Sequence, residues 1–284
     1  MKLLLLFAGI HLVGGPILFG GLRRLVRWRR AGPEPAKLDF GWPLLWRQGP
    51  RLLAAALLAA AVLLQWLAPP WWPLALLLTL LAANAFAGAL FAATASQADR
   101  PGLPMVDLFP LGGRRTLDGG CGAGRTSIAL ALAWPDIELV ALDRFDAPYV
   151  AAGGRQLLDH NLRAAGVVGR VQVECGDLTR LPFADASFDG AVSAHAIDHL
   201  GAAAGLGLAE LRRVLKPGRR LLLVVWVPGW SMFALINVLA FHLAAPTAWR
   251  ERARQAGFDV VREGRFDGVW FLLLARPGEP ATVT

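Results

Sequence analysis

Three long apolar runs without a charged residue occupy most of the first 95 positions of the 284-residue chain. They extend over residues 3–22, 52–68 and 74–95, and only His11 is polar in the first. A helix needs about twenty such residues to cross about 30 Å of hydrocarbon. Prolines and two tryptophans at 69–73 interrupt the chain between the last two runs, as is typical of a membrane interface. The pattern predicts an all-α transmembrane region of about three helices.

Two other interpretations of these runs stay open. Residues 3–22 resemble a cleaved signal peptide in hydrophobicity, although an arginine cluster follows them where a small-residue cleavage site is expected. The other two runs are also compatible with a buried helical hairpin, although apolar runs of this length are more typical of membrane spans.

Basic residues are concentrated in the N-terminal third of the chain. Residues 1–95 carry nine Lys and Arg against two acids, whereas residues 96–284 carry twenty against nineteen. The segment 23–51 between the first two runs is strongly basic, so the positive-inside rule predicts that it faces the cytoplasm. Three spans then place the N-terminus outside and everything after residue 99 in the cytoplasm of a multi-pass protein, as in a bacterial inner membrane. The charge distribution favours a lipid bilayer and not nucleic acid as the partner.

From residue 114 on, apolar strand-like runs alternate with amphipathic helical stretches, which predicts an α/β domain with a doubly wound parallel sheet. Strands are predicted at residues 115–119, 138–143, 171–174, 190–194, 220–226, 259–263 and 269–275. Helices are predicted at residues 125–133, 149–165, 204–214 and 249–256. No helix separates the last two strands, so we expect an antiparallel pair at one sheet edge. The predicted division is a transmembrane region at 1–98, an α/β domain at 99–279 and a tail at 280–284.

The turn after the first predicted strand holds the main chemical signal, the sequence D-G-G-C-G-A-G at residues 118–124. Alternate glycines let the backbone pass close to a ligand, and open α/β sheets bind ligands at the carboxyl ends of their strands. The dinucleotide fingerprint G-x-G-x-x-G fails, because Arg125 and Ser127 stand at the sixth positions counted from Gly120 and Gly122. A glycine-rich turn of another α/β class is the alternative on this motif alone.

Three further segments make another α/β class less favoured, and two of them suit a nucleoside ligand. Asp143 ends the second predicted strand, 23 residues beyond Gly120, where a carboxylate can accept both hydroxyls of a ribose. Asp177 and Leu178 follow the third strand, where they suit the amino group and the ring of an adenine. Each acid taken alone is also compatible with a cap or an ordinary turn. The third segment, from L-P-F at 181–183 to F-D-G at 188–190, leads into the fourth predicted strand. The stretch R-V-L-K-P-G at 213–218 leads into the fifth.

In this order, the segments resemble the class I S-adenosylmethionine (SAM)-dependent methyltransferases with a type 11 methyltransferase domain, especially the quinone-biosynthesis C-methyltransferases, over roughly residues 105–276. The resemblance implies a Rossmann-like, seven-stranded sheet with a reversed last strand, and SAM as the cofactor. It implies a cofactor site formed by Asp118, Gly120, Cys121, Gly122, Gly124, Asp143, Arg144, Asp177, Leu178 and Ser193. Gly119 and Arg219 depart from the family, which commonly has a larger apolar residue and a further glycine at these positions. The change at Gly119 is expected to loosen packing near the turn without abolishing binding.

Ser193, His195, Asp198 and His199 cluster after the fourth predicted strand, on the ligand side of the sheet. Methyl transfer needs an aligned acceptor and the exclusion of water, and it needs a base only where the acceptor loses a proton. His195 and His199 are therefore the candidate catalytic residues, and they would share a face if the segment is helical. The alternative is a helix cap with structural histidines. No metal site is predicted, because the chemistry needs no metal.

Residues 221–245 contain no charged residue and continue beyond the fifth predicted strand. A fourth span is rejected, because it would place the last two strands across the membrane from the sheet. Three interpretations remain: a lid over the acceptor, a helix lying on the bilayer, or a helix packed on the transmembrane helices. The first two favour a lipophilic acceptor.

Together these features predict a membrane-anchored SAM-dependent methyltransferase that acts on a small, lipophilic acceptor. SAM is a cytosolic metabolite, which agrees with the topology predicted from charge. One alternative is a methyltransferase of soluble metabolites in which the helices are only a tether. The other is a membrane sensor that binds SAM without catalysis. The sequence leaves the acceptor, the oligomeric state and the pathway open.

Overall fold

A computed structural model describes residues 38–41, 44–95, 103, 115–147, 154–266 and 269–278. The described residues form two compact units. Residues 44–95 and 229–242 belong to the first unit, and the remaining described residues belong to the second. The predicted span at residues 3–22 lies outside the described residues.

The first unit is built on a helical hairpin. Helix α1 (Leu44–Leu67) and helix α2 (Trp72–Ala95) pack along each other and are joined by a 3-10 turn at Pro69–Trp71. Two stretches of the hairpin, Gln48–Leu67 and Pro69–Phe91, are long and apolar enough to cross a membrane. The runs predicted as the second and third spans are therefore helical in the structure.

Helix α6 (Trp230–Ile236) and a 3-10 segment at Asn237–His242 complete the first unit. The helix packs on α2, and a Cβ placed on Gly88 would lie 1.9 Å from the carbonyl oxygen of Ala234. The two helices therefore meet backbone to backbone, which only glycine permits at this position. Of the three interpretations of residues 221–245, the structure shows packing on the apolar hairpin. The predicted division places this segment in the α/β domain, whereas in the structure residues 229–242 group with the hairpin.

The second unit is built on a seven-stranded sheet with the order β3-β2-β1-β4-β5-β7-β6. The strands are β1 (Arg115–Gly119), β2 (Glu138–Asp143), β3 (Val171–Cys175), β4 (Phe188–Ala194), β5 (Leu215–Trp226), β6 (Asp259–Phe266) and β7 (Val269–Ala275). The first five strands are parallel, and β7 is antiparallel to both of its neighbours. The predicted antiparallel pair is confirmed. Strands β4 and β5 begin earlier than predicted, because Phe188 pairs with Leu215 ahead of a register shift.

Four helices flank this sheet: α3 (Arg125–Ala133), α4 (Arg155–Ala164), α5 (Ala204–Val214) and α7 (Pro246–Gln255). Helix α7 begins three residues before the predicted start, because proline suits the first turn of a helix. Helix α4 begins at Arg155 instead of residue 149, after Gly154 with a φ of 84°. Residues 148–153 lie outside the described part of the chain.

Asn161 on α4 joins two distant segments of the second unit. Its buried amide donates to the carbonyl oxygens of Ala123 at 2.8 Å and Asp39 at 2.7 Å. Its side-chain oxygen accepts the Asp39 N–H at 2.9 Å. Because every hydrogen bond of this buried amide is directional, Asn161 fixes the glycine turn and residues 38–41 relative to α4.

Candidate functional site

The ligand edge of the sheet lies where the strand order reverses. Strand β1 pairs with β2 on one side and with β4 on the other, and all three run parallel. In open α/β sheets this reversal leaves a crevice beyond the carboxyl ends of the strands. Gly119 ends β1, Asp143 ends β2, and His195 directly follows β4. The sheet therefore brings the predicted cofactor and catalytic residues to one edge.

The glycine turn divides into packing positions and an open position. A Cβ on Gly120 would lie 2.1 Å from the Ala196 Cβ, and one on Gly124 would lie 2.4 Å from the Leu158 side chain. A Cβ on Gly122 would meet nothing within 4 Å. The three residues have φ values of 82°, 87° and 50°, which favour glycine. Gly120 and Gly124 thus allow the turn to pack, and Gly122 faces space that is open to a ligand.

Asp143 holds this turn from the neighbouring strand. Its Oδ2 accepts the Gly122 N–H at 2.9 Å, and its Oδ1 accepts the Phe145 N–H at 2.8 Å. Each carboxylate oxygen keeps a second lone pair, and the side chain is partly exposed. Phe145 adopts a φ of 57°, which is uncommon for an aromatic residue. No sequence motif marks Phe145, and the sequence analysis missed it.

Asp118 is a buried carboxyl group in β1, next to the last residue of the strand. Its Oδ2 accepts the Ser127 hydroxyl at 2.5 Å, while its Oδ1 has no hydrogen-bond partner among the described residues. Burial raises its pKa to about 7; the Ser127 hydrogen bond opposes this rise, and the nearby charge of Asp143 adds to it. A buried carboxyl oxygen without a partner, in the strand that leads into the glycine turn, is suited to a cationic ligand group such as the ammonium of the methionine part of SAM.

Asp177 and Arg144 lie at the ends of β3 and β2. Asp177 accepts the backbone N–H of Thr179 at 2.8 Å and its hydroxyl at 2.7 Å, and these bonds lower its pKa. Arg144 is exposed and pairs with Asp146 at 2.5 Å and with Asp177 at 3.5 Å. Leu178 is 7% exposed and packs toward Gly119. A contact of Leu178 with adenine therefore stays a prediction.

The side chains of Cys121 and Ser193 contact backbone carbonyl groups within the protein. Ser193 is fully buried and donates to the Gly119 carbonyl at 2.8 Å, which ties β4 to the end of β1. The Cys121 thiol lies 3.8 Å from the Gly122 carbonyl, and burial raises its pKa well above the ordinary value. In this arrangement their side chains support the turn from inside.

The two candidate catalytic histidines are not on one helical face. His195 has a φ of 57°, and the 3-10 helix begins only at Ile197, so the condition for a shared face is not met. The His195 ring stacks on Trp226, with the ring centroids 4.3 Å apart. His199 is exposed on the first turn of the 3-10 helix.

Comparison with known proteins bears on this domain. Residues 117–223 match the family model described as a methyltransferase domain. Over these residues the second unit is similar to methyltransferase domains, and it is called the methyltransferase domain below. The methyltransferase domain is 33% identical over 165 residues to 24-methylenesterol C-methyltransferase 2 of Oryza sativa subsp. japonica, covering 53% of this chain and 43% of that protein. It is 31% identical over 153 residues to demethylmenaquinone methyltransferase of Beutenbergia cavernae, covering 53% of this chain and 58% of that protein.

A solved structure shares the fold of the methyltransferase domain. A SAM-dependent methyltransferase from Methanosarcina mazei aligns with a TM-score of 0.51 at 18% identity, covering 62% of this chain and 99% of the other. The predicted Rossmann-like fold is confirmed. The match to a methyltransferase domain agrees with SAM as the predicted cofactor. The chain spans only 43% and 58% of the two curated relatives named above.

The structure also accounts for the departure from the family at Gly119. A Cβ at this position would lie 2.8 Å from a methyl carbon of Leu178 and 3.3 Å from one of Leu211. These two leucines fill the space that a larger residue would take. The methyltransferase domain is therefore well packed beneath its glycine turn, and the expected loosening is not seen.

The raised pKa of Asp118 gives a testable dependence of stability on pH. The folded protein holds a proton on Asp118 up to about pH 7, whereas the unfolded chain releases it near pH 4. The contribution of this group to stability is therefore present below about pH 4 and is lost as the pH rises to about 7, by up to about 4 kcal/mol. We expect urea unfolding of the wild type, relative to Asp118→Asn, to show this loss between pH 4 and 7. Parallel stability curves for the two proteins would contradict the assignment.

Proposed function

We propose that this protein is a membrane-anchored methyltransferase that transfers the methyl group of SAM to a small, lipophilic acceptor. The observation that carries the proposal is the glycine turn, where Gly122 has an open side and donates its N–H to the Asp143 carboxylate. In the strand that leads into this turn, the buried Asp118 keeps one oxygen without a partner among the described residues. These groups are complementary to the hydroxyls and the ammonium of SAM.

SAM supplies a methyl group that the positive charge on its sulfur already activates. The residues of this chain have to bind and orient the reactants and exclude water. We assign Asp143 to the ribose hydroxyls, Asp118 to the ammonium group, and Asp177 to the adenine amino group. His195 and His199 stand on the acceptor side as candidate proton acceptors.

Membrane attachment is supported by the composition of the first unit. On α1, the large apolar side chains of Leu52, Val62 and Trp66 are 68%, 62% and 79% exposed. Apolar surface of this extent on two long helices is suited to lipid. Trp71 in the turn between the helices is also exposed, as expected at a membrane interface. We propose three spans in total, with the N-terminus outside and the methyltransferase domain in the cytoplasm.

A lipophilic acceptor is supported by the relatives and by the apolar hairpin. The names of the two curated relatives refer to a sterol and to demethylmenaquinone, both of which are lipophilic. The hairpin exposes large apolar side chains that are suited to lipid. An acceptor dissolved in the bilayer suits an enzyme that is anchored there.

The proposal is tested with purified full-length protein in lipid nanodiscs. Methyl-labelled SAM is offered with a total lipid extract or with an aqueous metabolite extract, and SAM binding is measured by calorimetry on the same sample. We expect transfer of the label into the lipid fraction. Transfer of the label only into aqueous metabolites favours a methyltransferase of soluble metabolites in which the helices are a tether. Binding of SAM without transfer favours a membrane sensor without catalysis. Either result, or the absence of SAM binding, would contradict the proposal.

A further inference from the structure

A buried carboxylate lies behind His195 at the ligand edge. Asp198 is in the first turn of the 3-10 helix at Ile197–Ala203, and its side chain is 8% exposed. Its Oδ2 accepts the backbone N–H of Trp226 at 3.0 Å and lies 3.9 Å from Nδ1 of His195. Its Oδ1 has no hydrogen-bond partner among the described residues. The ends of β4 and β5 thus place this carboxylate on one side of the imidazole.

The charge of Asp198 is retained despite its burial. Burial alone would raise its pKa, but the neighbouring His195 and the Trp226 N–H together lower it below the ordinary value, and His199 adds to this effect. An ionised, buried carboxylate of this kind favours a hydrogen-bond donor on the side that faces it. Nδ1 of His195 lies 3.9 Å from Oδ2 of this carboxylate.

His195 is held in an uncommon conformation with one nitrogen buried. Its φ of 57° lies in the left-handed region, which is strained for a non-glycine residue. Nδ1 is buried and makes no hydrogen bond within the described residues, whereas 27% of the side chain is exposed. The exposed part therefore lies elsewhere on the side chain. Stacking on Trp226 at 4.3 Å restricts rotation of the ring.

We infer that Asp198 is a positioning residue that keeps the proton of neutral His195 on Nδ1, so that Nε2 presents its lone pair at the ligand edge. The position of the proton does not depend on the proposed function. Only the role of His195 in deprotonating the acceptor rests on that function. As the acceptor X–H is methylated, the X–CH₃ bond forms, the S–CH₃ bond of the donor breaks, and Nε2 takes the proton from X. The arrangement serves acceptors whose reacting atom carries an ionisable proton, such as the hydroxyl or the activated ring carbon of a phenol.

The tautomer of His195 can be measured without knowing the acceptor. Full-length protein labelled with ¹⁵N-histidine in nanodiscs has five histidines, and His195→Gln identifies the signal of interest. In alkaline buffer, long-range ¹H–¹⁵N spectra should show the proton on Nδ1 in the wild type. Asp198→Asn should shift it toward Nε2, the site that free histidine favours, while the exposed control Asp136→Asn should leave it unchanged. A wild-type proton on Nε2 would overturn the inference even if the Asp198 variant does not fold.

Measurements of kcat and KM distinguish a positioning role of Asp198 from a merely structural one. With labelled SAM and the lipid extract, Asp198→Asn should lower kcat about tenfold and leave KM for SAM within twofold. Equal losses in kcat and in SAM affinity would show general damage to the site and overturn the inference. Failure of the proposed function has a different signature, namely no transfer or no SAM binding by the wild type, whichever tautomer is observed.

Discussion

Gly122→Leu is expected to weaken SAM binding by more than a hundredfold, the largest effect that we predict. Gly122 is the position of the turn where an added side chain would extend into open space, beside the carboxylate of Asp143. A leucine would occupy the volume that the ligand needs, and its φ of 50° would also be strained. A hundredfold loss corresponds to about 2.7 kcal/mol of binding free energy. Calorimetric titration with SAM measures it directly.

The matched control for this substitution is Gly166→Leu. Gly166 also has a positive φ, 69°, and a Cβ placed on it also meets nothing within 4 Å. Both variants therefore carry the same kind of backbone strain, about 1–2 kcal/mol, but only one is at the ligand edge. We expect similar losses of thermal stability and a loss of SAM affinity only at position 122. Similar affinities for the two variants would remove Gly122 from the site.

The parts of the fold that depend on local pattern could be predicted from the sequence. The bounds of β1, β2, β7, α3 and α5 agree with the prediction, because alternating or helical apolar patterns end there at turn residues. The place of α6 could not be predicted in the same way. It depends on the fit of Gly88 against the backbone of Ala234, and nothing local in either segment indicates that contact.

The candidate site also contains some residues that could be predicted from the sequence and others that could not. The glycine turn and Asp143 stand out in the sequence because their spacing carries the chemistry, and the sheet brings them together. The positive φ of Phe145 and the contact of Asp198 with Trp226 arise from tertiary structure, so no motif indicates them. Ser193 shows that a position at the end of a strand does not by itself indicate contact with a ligand. It lies at the predicted edge, but its hydroxyl bonds to the Gly119 carbonyl inside the domain.

Asp143→Ala is expected to weaken SAM binding by more than tenfold. The carboxylate accepts the N–H groups of Gly122 and Phe145, and its remaining lone pairs are placed for the ribose hydroxyls. Hydrogen bonds to a charged group contribute about 1.5–3 kcal/mol each, so the loss of even one ribose contact accounts for a tenfold change. Asp143→Asn keeps only one acceptor oxygen and should fall between the wild type and the alanine variant.

Asp189→Ala is the control that separates ligand binding from general stability. Asp189 also accepts a backbone N–H, that of Arg115 at 3.2 Å, and it pairs with Lys216 at 2.7 Å, but it lies at the opposite ends of β1 and β4. Both alanine variants should unfold at lower urea concentrations than the wild type, because each leaves a backbone donor without its partner. Only Asp143→Ala should lose SAM affinity in calorimetric titrations. If a folded Asp143→Ala protein binds SAM as tightly as Asp189→Ala does, the carboxylate at the end of β2 serves the turn alone, and the ribose must be recognised by other groups.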